Sequence, residues 1–244
     1  MRRLMSAWSF SVPLCFGIAE SMPRSAFSFS AAFLAVLNFS SAAKYCGVRF
    51  AGMALSRAFQ YTGRAPSPQG DVVKVRSLHR WDLSYRKAAI LQQELAPRIV
   101  VRGGPGAPRL VAGADLSYDA RTDRLFAAVL LLDGKTLEVV EEATAEGRCR
   151  FPYIPGLLSF REAPLLLRAF RKLRSPAPDL VLIDGQGTAH PRGFGIACHV
   201  GLILERPTVG CAKSLLVGTH AEPGPSRGDH APLQYRGRRI GSAL

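Results

Sequence analysis

The stretch Leu180-Val181-Leu182-Ile183-Asp184-Gly185-Gln186-Gly187 decides the fold. Four apolar residues without polar alternation describe a short strand buried on both faces, as in parallel or mixed sheets. A carboxylate and a glycine loop follow at once. Working outward, Thr208–Ala212 is a second short buried strand, and Gly195–Leu204 reads as the helix between them. Upstream, Arg161–Leu173 reads as a helix with Ala163, Leu167 and Phe170 facing inward. Before it come three strands, Leu110–Ser117, Leu125–Leu132 and Leu137–Glu146, joined by a polar turn at Asp119–Arg124 and a hairpin turn at Asp133-Gly134. A first helix spans Ser84–Ala96, with Ala88, Leu91 and Leu95 on one face, and Pro97 stops it. A three-strand meander followed by helix, strand, helix, strand predicts an α/β fold, a mixed sheet with flanking helices.

The 244 residues carry 32 Lys and Arg against 18 acids, a formal charge of +14. A surplus of that size favours a polyanionic partner, nucleic acid before anionic membrane. Residues 1–70 hold seven bases and the single acid Glu20, so both that stretch and the rest are basic. The five cysteines, at 15, 46, 149, 198 and 211, form no Cys-x-x-Cys pair. Zinc ribbons and redox motifs therefore find no support, and a reducing, cytoplasmic setting is expected.

Two kinds of text meet near Ala65–Gly70 (APSPQG). Residues 1–70 read as a leader, either disordered or translated upstream of the true start. Within it, Met1-Arg2-Arg3 followed by an apolar stretch has a signal-peptide outline, and Ala26–Ala43 is barely long enough to span a bilayer. Residues 71–244 read as the folded domain.

Several residues there could do chemistry. Asp115 sits in Val-Ala-Gly-Ala-Asp-Leu-Ser-Tyr, where a carboxylate is costly unless paired or metal-bound. The plainer reading puts it at the strand's end, facing solvent. Asp184 caps a buried strand, where ligands gather in open α/β sheets; the plainer reading is a turn residue accepting backbone hydrogen bonds. Glu162 stands three residues after Ser159, the spacing of a capping box, although Pro164 fits such a helix start poorly. Carboxylates from two strands and a helix start suit two-metal phosphodiester chemistry with hard Mg2+ or Mn2+. Lys213, just past the strand Thr208–Ala212, falls on the same sheet edge as Asp184 if the strands are parallel, and could stabilise phosphate charge. It is otherwise a surface lysine. His190 and His199 read as loop and helix-face histidines or as catalysts. Phe151-Pro152-Tyr153-Ile154-Pro155-Gly156 holds an aromatic between two prolines on stiff, extended backbone, suited either to insertion into a base stack or to packing under a loop.

These segments together resemble the endonuclease V family. The resemblance runs from about Trp81 to Ala243. It is carried by Val111–Ser117, by Pro152-Tyr153-Ile154-Pro155-Gly156-Leu157-Leu158-Ser159-Phe160-Arg161-Glu162, by Asp184-Gly185-Gln186-Gly187-Thr188-Ala189-His190-Pro191-Arg192, by Gly195-Ile196-Ala197, and by Val209-Gly210-Cys211-Ala212-Lys213-Ser214. It implies a ribonuclease H-like fold. It further implies Mg2+- or Mn2+-dependent cleavage of the second phosphodiester bond on the 3′ side of a deaminated base such as inosine. Asp115 and Asp184 would hold the metal, with Glu162 as third acid and Lys213 beside them. Pro152, Tyr153, Ile154 and Pro155 would form a strand-separating wedge. Gly185, Gly187 and His190 would line the substrate, the glycine loop reading the base edge. The expected partner is DNA with deaminated bases, and RNA as a second substrate, engaged by a monomer without stable protein partners. The family pattern continues past Ile240-Gly241-Ser242-Ala243 into a further strand and helix that carry another active-site His or Asp, whereas this sequence stops at Leu244. The competing expectation is a fragment that binds inosine-containing strands without cutting them.

Overall fold

The computed structural model describes residues 60–61, 71–101, 106–226 and 228–244. The signal-peptide outline and the apolar run Ala26–Ala43 lie outside the described residues. Nine strands and three α-helices are described: β1 (Gln60–Tyr61), α1 (Tyr85–Leu95), β2 (Val100–Val101), β3 (Leu110–Asp119), β4 (Arg124–Asp133), β5 (Val139–Arg148), α2 (Leu158–Phe170), β6 (Leu180–Asp184), α3 (Ile196–Leu204), β7 (Thr208–Cys211), β8 (Ala231–Tyr235) and β9 (Arg238–Ala243). A 3-10 turn, Ala96–Arg98, follows α1 where Pro97 ends it. The short β1 falls inside the stretch set apart as a leader.

Seven strands form one sheet in the order β2-β1-β7-β6-β3-β4-β5, and β8 and β9 form a separate hairpin. β3 and β4 are antiparallel, as are β4 and β5, whereas β6 runs parallel to both β3 and β7. The mixed sheet expected from the sequence is therefore present. Side-chain alternation sorts its faces. Ala112, Ala114, Val129, Leu131, Val181 and Ile183 point to a core shared with Leu166 and Phe170 of α2 and Val200 and Ile203 of α3. Val111 and Leu180 point the other way, against Leu182 and Val209. Helix α1 packs through Ala88 near Phe151 and Phe160, and through Leu95 near Phe194 and Leu202. No helix among the described residues is long and apolar enough to cross a membrane.

Helix α2 starts three residues earlier than its periodicity predicts. Gly156 (φ +79°) turns the chain, Leu157 takes the cap position, and Ser159 lies inside the first turn. The Ser159–Glu162 capping box is thus not formed. Instead Ser159 Oγ meets His199 Nδ1 at 3.1 Å. The earlier start also leaves Pro164 within the helix, without an N–H to give to the carbonyl of Phe160.

Candidate active site

Register and parity bring the acids together. Ala114 pairs with Ile183 across the parallel β3–β6 junction, so the next residues, Asp115 and Asp184, lie side by side. Both fall on the face shared by Val111, Leu180 and Leu182, opposite the helical core. Asp115 is 6% exposed, so the solvent-facing reading of it fails. Burial, then the Asp184 charge, push its carboxyl up to about 6, although Leu116 N–H donates to Oδ1 at 2.7 Å. The cause is one of crowded negative charge in a dry place.

Glu162 reaches the same cleft from the first turns of α2. Burial foremost, and then the charges of Asp115 and Asp184, push its carboxyl up to about 8, against the opposing pull of Arg161. Lys213 Nζ lies 2.8 Å from Asp184 Oδ2. It reaches that position because β7 runs parallel to β6 and pairs Cys211 with Asp184, leaving Lys213 just beyond the strand end. Asp184 raises the Lys213 ammonium in return, first through that hydrogen bond. Asp115, Glu162, Asp184 and Lys213 all line one cavity of about 300 Å³.

The donor set suits a hard divalent cation: oxygen ligands only, carrying more negative charge than one lysine offsets. Among the described residues no three His, Cys, Asp or Glu side chains close into a finished metal cage. The fit is that of an open site, in which Asp115 and Asp184 hold an ion and leave coordination positions for other oxygens.

The proline-bracketed segment stands at the mouth of this cavity. Tyr153 is 69% exposed, so packing under a loop is not its use. Tyr153, Ile154 and Pro155 line the cavity together with Gly185 and Gln186, and Pro152 is exposed on the outer side. Gly187 faces a second, wider cleft. The glycine loop is tightly held. A side chain at Gly185 (φ +133°) would strike Ile196 at 2.6 Å. The carbonyls of Gln186 and Gly187 accept hydrogen bonds from the N–H groups of Ala197 and Gly195, which would otherwise be orphaned at the start of α3.

His190 lines both the carboxylate cavity and the wider cleft. It is 3% exposed, and burial pushes its imidazole down to about 4. Its Nε2 donates to Gly156 O at 2.8 Å, and its Nδ1 accepts from Arg192 N–H at 3.2 Å. Both ring nitrogens are engaged within the protein, so His190 is a latch between loops.

Three residues unassigned by the sequence reading complete that latch. Arg192 Nη2 donates to Gly156 O at 2.7 Å, and Arg192 Nε to Gln92 Oε1 at 2.7 Å. Gln92 Nε2 donates to Phe194 O at 3.0 Å. At the other end of the segment Arg161 Nη1 donates to Phe151 O at 3.1 Å, with its guanidinium 4.4 Å from the centre of the Tyr118 ring. The one signal available for Gln92 was its place on the Ala88–Leu95 face, where a polar residue demands a partner. His199 is likewise structural: wholly buried and pushed down to about 3 by burial, it accepts from Ser159 and lies 2.6 Å from His79 Nε2.

A mixed sheet that sets paired carboxylates on its strand ends, beneath a base-sized cavity, defines a ribonuclease H-like nuclease. The endonuclease V family model matches residues 93–244. An endonuclease V from Dehalococcoides mccartyi is 46% identical over 172 residues, 70% of this chain and 77% of that protein. The crystal structure of endonuclease V from Streptomyces avermitilis superposes with a TM-score of 0.64 at 42% identity, covering 70% of this chain and 75% of the other. A Ciona intestinalis endonuclease V, solved in complex with a 24mer DNA containing an inosine followed by a ribo-adenosine, superposes with a TM-score of 0.50 at 26% identity, covering 53% of this chain and 57% of the other. This chain belongs to the endonuclease V family, and its enzyme class is that of an endonuclease.

Proposed function

We propose that the chain cleaves DNA containing deaminated bases, hydrolysing the second phosphodiester bond on the 3′ side of inosine, as a DNA repair enzyme. The observation that carries this reading is the side-by-side placement of Asp115 and Asp184, with Glu162 beside them, in a cavity rimmed by Tyr153. Asp115 and Asp184 would hold Mg2+, or Mn2+ in its place; when bound, the ion supplies Lewis-acid stabilisation and an activated water. Glu162 is the third acid, set to hold a proton near neutral pH until a cation arrives. Lys213 steadies Asp184 and offers positive charge to a phosphate.

Pro152, Tyr153, Ile154 and Pro155 part the strands, with Tyr153 stacking on exposed bases. The adjacent 300 Å³ cavity has room for one base, and the rigid backbone at Gly185 and Gln186 is placed to read its edge. The inosine-containing DNA bound by the Ciona relative supports this assignment, and the ribo-adenosine in it supports action on RNA as well. We place the protein in the cytoplasm, as a monomer with residues 71–244 as its working domain. A second reading, binding without cleavage, is favoured by the Lys213–Asp184 ion pair, in which an ammonium already stands beside a candidate metal ligand.

The test uses the full chain on matched oligonucleotides with and without one inosine, with Mg2+, Mn2+ or EDTA. Metal-dependent nicking of the inosine strand alone is expected. Tight binding without nicking under either metal would select the second reading. Equal cutting of both strands would mark a general nuclease.

A further inference from the structure

Beyond the carboxylate cavity lies a wider cleft of about 1670 Å³, whose walls include Asp115, Asp184 and Lys213 on one side and the β8–β9 hairpin on the other. The hairpin tip reads Tyr235-Arg236-Gly237-Arg238-Arg239. Arg236, Arg238 and Arg239 all line this cleft and are all exposed. None of the three forms an ion pair among the described residues. Glu222 lines the same cleft and pairs with none of them. Three uncompensated guanidiniums at one turn repel each other, an arrangement that stability alone gives no reason to keep.

The turn is also built against local preference. Arg236 (φ 51°) and Gly237 (φ +71°) occupy the two left-handed positions of a tight hairpin turn. Asn or Asp is the favoured residue at the first of these, and a long side chain there is unfavourable. Strain of this kind points toward a use. The tip is nevertheless held firmly. Thr188 Oγ1, in the segment that follows the glycine loop, donates to Ile240 O at 2.7 Å. Thr219 and Gln234 exchange two backbone hydrogen bonds of 2.9 Å. The Arg236 guanidinium sits 5.0 Å from the Tyr235 ring centre, and Arg239 is steadied by the neutral acceptors Gly241 O and Ser242 Oγ. The hairpin that carries the charges is therefore anchored to the segment that follows the glycine loop.

We propose that Arg236, Arg238 and Arg239 form a phosphate-binding wall that grips the sugar–phosphate backbone of the nucleic-acid strand leading away from the carboxylates. The inference rests on the nucleic-acid reading above but not on cleavage. Guanidiniums suit phosphate oxygens because they offer paired donors at fixed angles. Such contacts position a strand without reading its sequence, so the wall acts alike on strands with and without inosine.

The experiment measures binding of a single-stranded oligonucleotide, with and without inosine, across a salt series in EDTA. The full chain is compared with an R236Q/R238Q/R239Q variant and an R236K/R238K/R239K variant. Neutralising about three phosphates on single-stranded nucleic acid corresponds to a slope of about 2 in log affinity against log salt. The Gln variant is expected to lose that much slope on both strands, and the Lys variant to recover most of it. Nicking of the inosine strand by the unaltered chain, in Mg2+ or Mn2+, is measured in parallel. An unmoved slope, or a Lys variant as weak as the Gln variant, overturns the wall while leaving the nuclease reading intact. A hairpin-dependent slope without nicking keeps the wall and overturns cleavage. Absence of any binding overturns both.

Discussion

His190 Nε2 and Gly156 O lie 2.8 Å apart, joining the end of the proline-bracketed segment to the segment that follows the glycine loop. Arg192 donates to the same carbonyl at 2.7 Å, so one backbone oxygen accepts from two side chains. The proline-bracketed segment and the loop beyond Gly187 are thereby tied together beside the cavity that both line. Gly156→Ala tests this. Its φ of +79° disfavours a side chain, and the new Cβ would come within 2.9 Å of Arg192 Nη2. The left-handed backbone alone costs about 1–2 kcal/mol for alanine. A lower melting temperature is expected, with faster amide exchange across Phe151–Gly156. Unchanged exchange there would mean that the latch does not hold the segment.

Acid should destabilise the fold through two buried neutral histidines. His190 is pushed down to about 4 and His199 to about 3, in both cases chiefly by burial. A lowered folded value means that the unfolded chain binds protons first. Their contribution is fully present above about pH 6.5 and is lost as pH falls from there toward the folded values, by about 3 kcal/mol for His190 and about 5 kcal/mol for His199. Glu162 works in the opposite sense. Its folded value is raised to about 8, so its contribution is full below the ordinary carboxylate range and fades as pH rises through about 8. Chemical denaturation of the metal-free protein should therefore show maximal stability near about pH 6.5. A curve still rising steeply to pH 9 would contradict these burials.

The main sheet was legible because its inner strands are apolar runs too long and too pure for other uses. β6 and β7 announced themselves in this way, and Asp184 stood out as the polar residue ending such a run. The β8–β9 hairpin was not legible. Pro232 and the arginines hide its alternation, and its register shifts between Leu233 and Gln234. The two-residue strands β1 and β2 carry too little sequence for any period. The start of α2 was masked because Ser159 mimics a cap while its hydroxyl serves His199 instead. Asp115 and Asp184 could be singled out individually, but their adjacency depends on strand register, which sequence does not encode locally. The partners that hold His190, Gly156 and Arg192, were not legible for a related reason: they are set by tertiary folding.

Tyr153→Ala should separate recognition from stability. The ring is 69% exposed and contributes little to packing, so the melting temperature should hold within about 0.5 kcal/mol of wild-type stability. Stacking of an aromatic on a base is worth about 1–3 kcal/mol, so the preference for inosine strands should fall by about ten- to a hundredfold. Competition binding between matched strands reads this directly. A preference equal to wild type would remove Tyr153 from the recognition of the base.

Asp115→Asn should stabilise the metal-free protein while abolishing cleavage. The ionised carboxylate of Asp115 is unfavourable at neutral pH because it is buried and faces the charge of Asp184. A neutral amide of the same shape removes that opposition, for a gain of about 1–3 kcal/mol in EDTA. The same change removes a candidate oxygen ligand. A melt that rises together with nicking that vanishes supports a carboxylate kept for function at the expense of stability. Retained nicking would displace Asp115 from the metal.

Metal binding should be strongly coupled to pH, and the direction follows from the same carboxyls. Asp115 titrates near about 6 and Glu162 near about 8, each raised first by burial and then by neighbouring carboxylates. A cation replaces those protons, because carboxylates ligate only when ionised. Apparent Mn2+ affinity should therefore rise by about tenfold per pH unit for each displaced proton between pH 6 and 8. Calorimetric titration at fixed pH, in two buffers of different ionisation enthalpy, counts the protons released. In Glu162→Gln the pH dependence should flatten above pH 7, where Glu162 is the carboxyl still protonated, while the dependence from Asp115 below pH 7 remains. An Mn2+ affinity indifferent to pH in the wild-type chain would mean that the ion binds away from this acidic cluster.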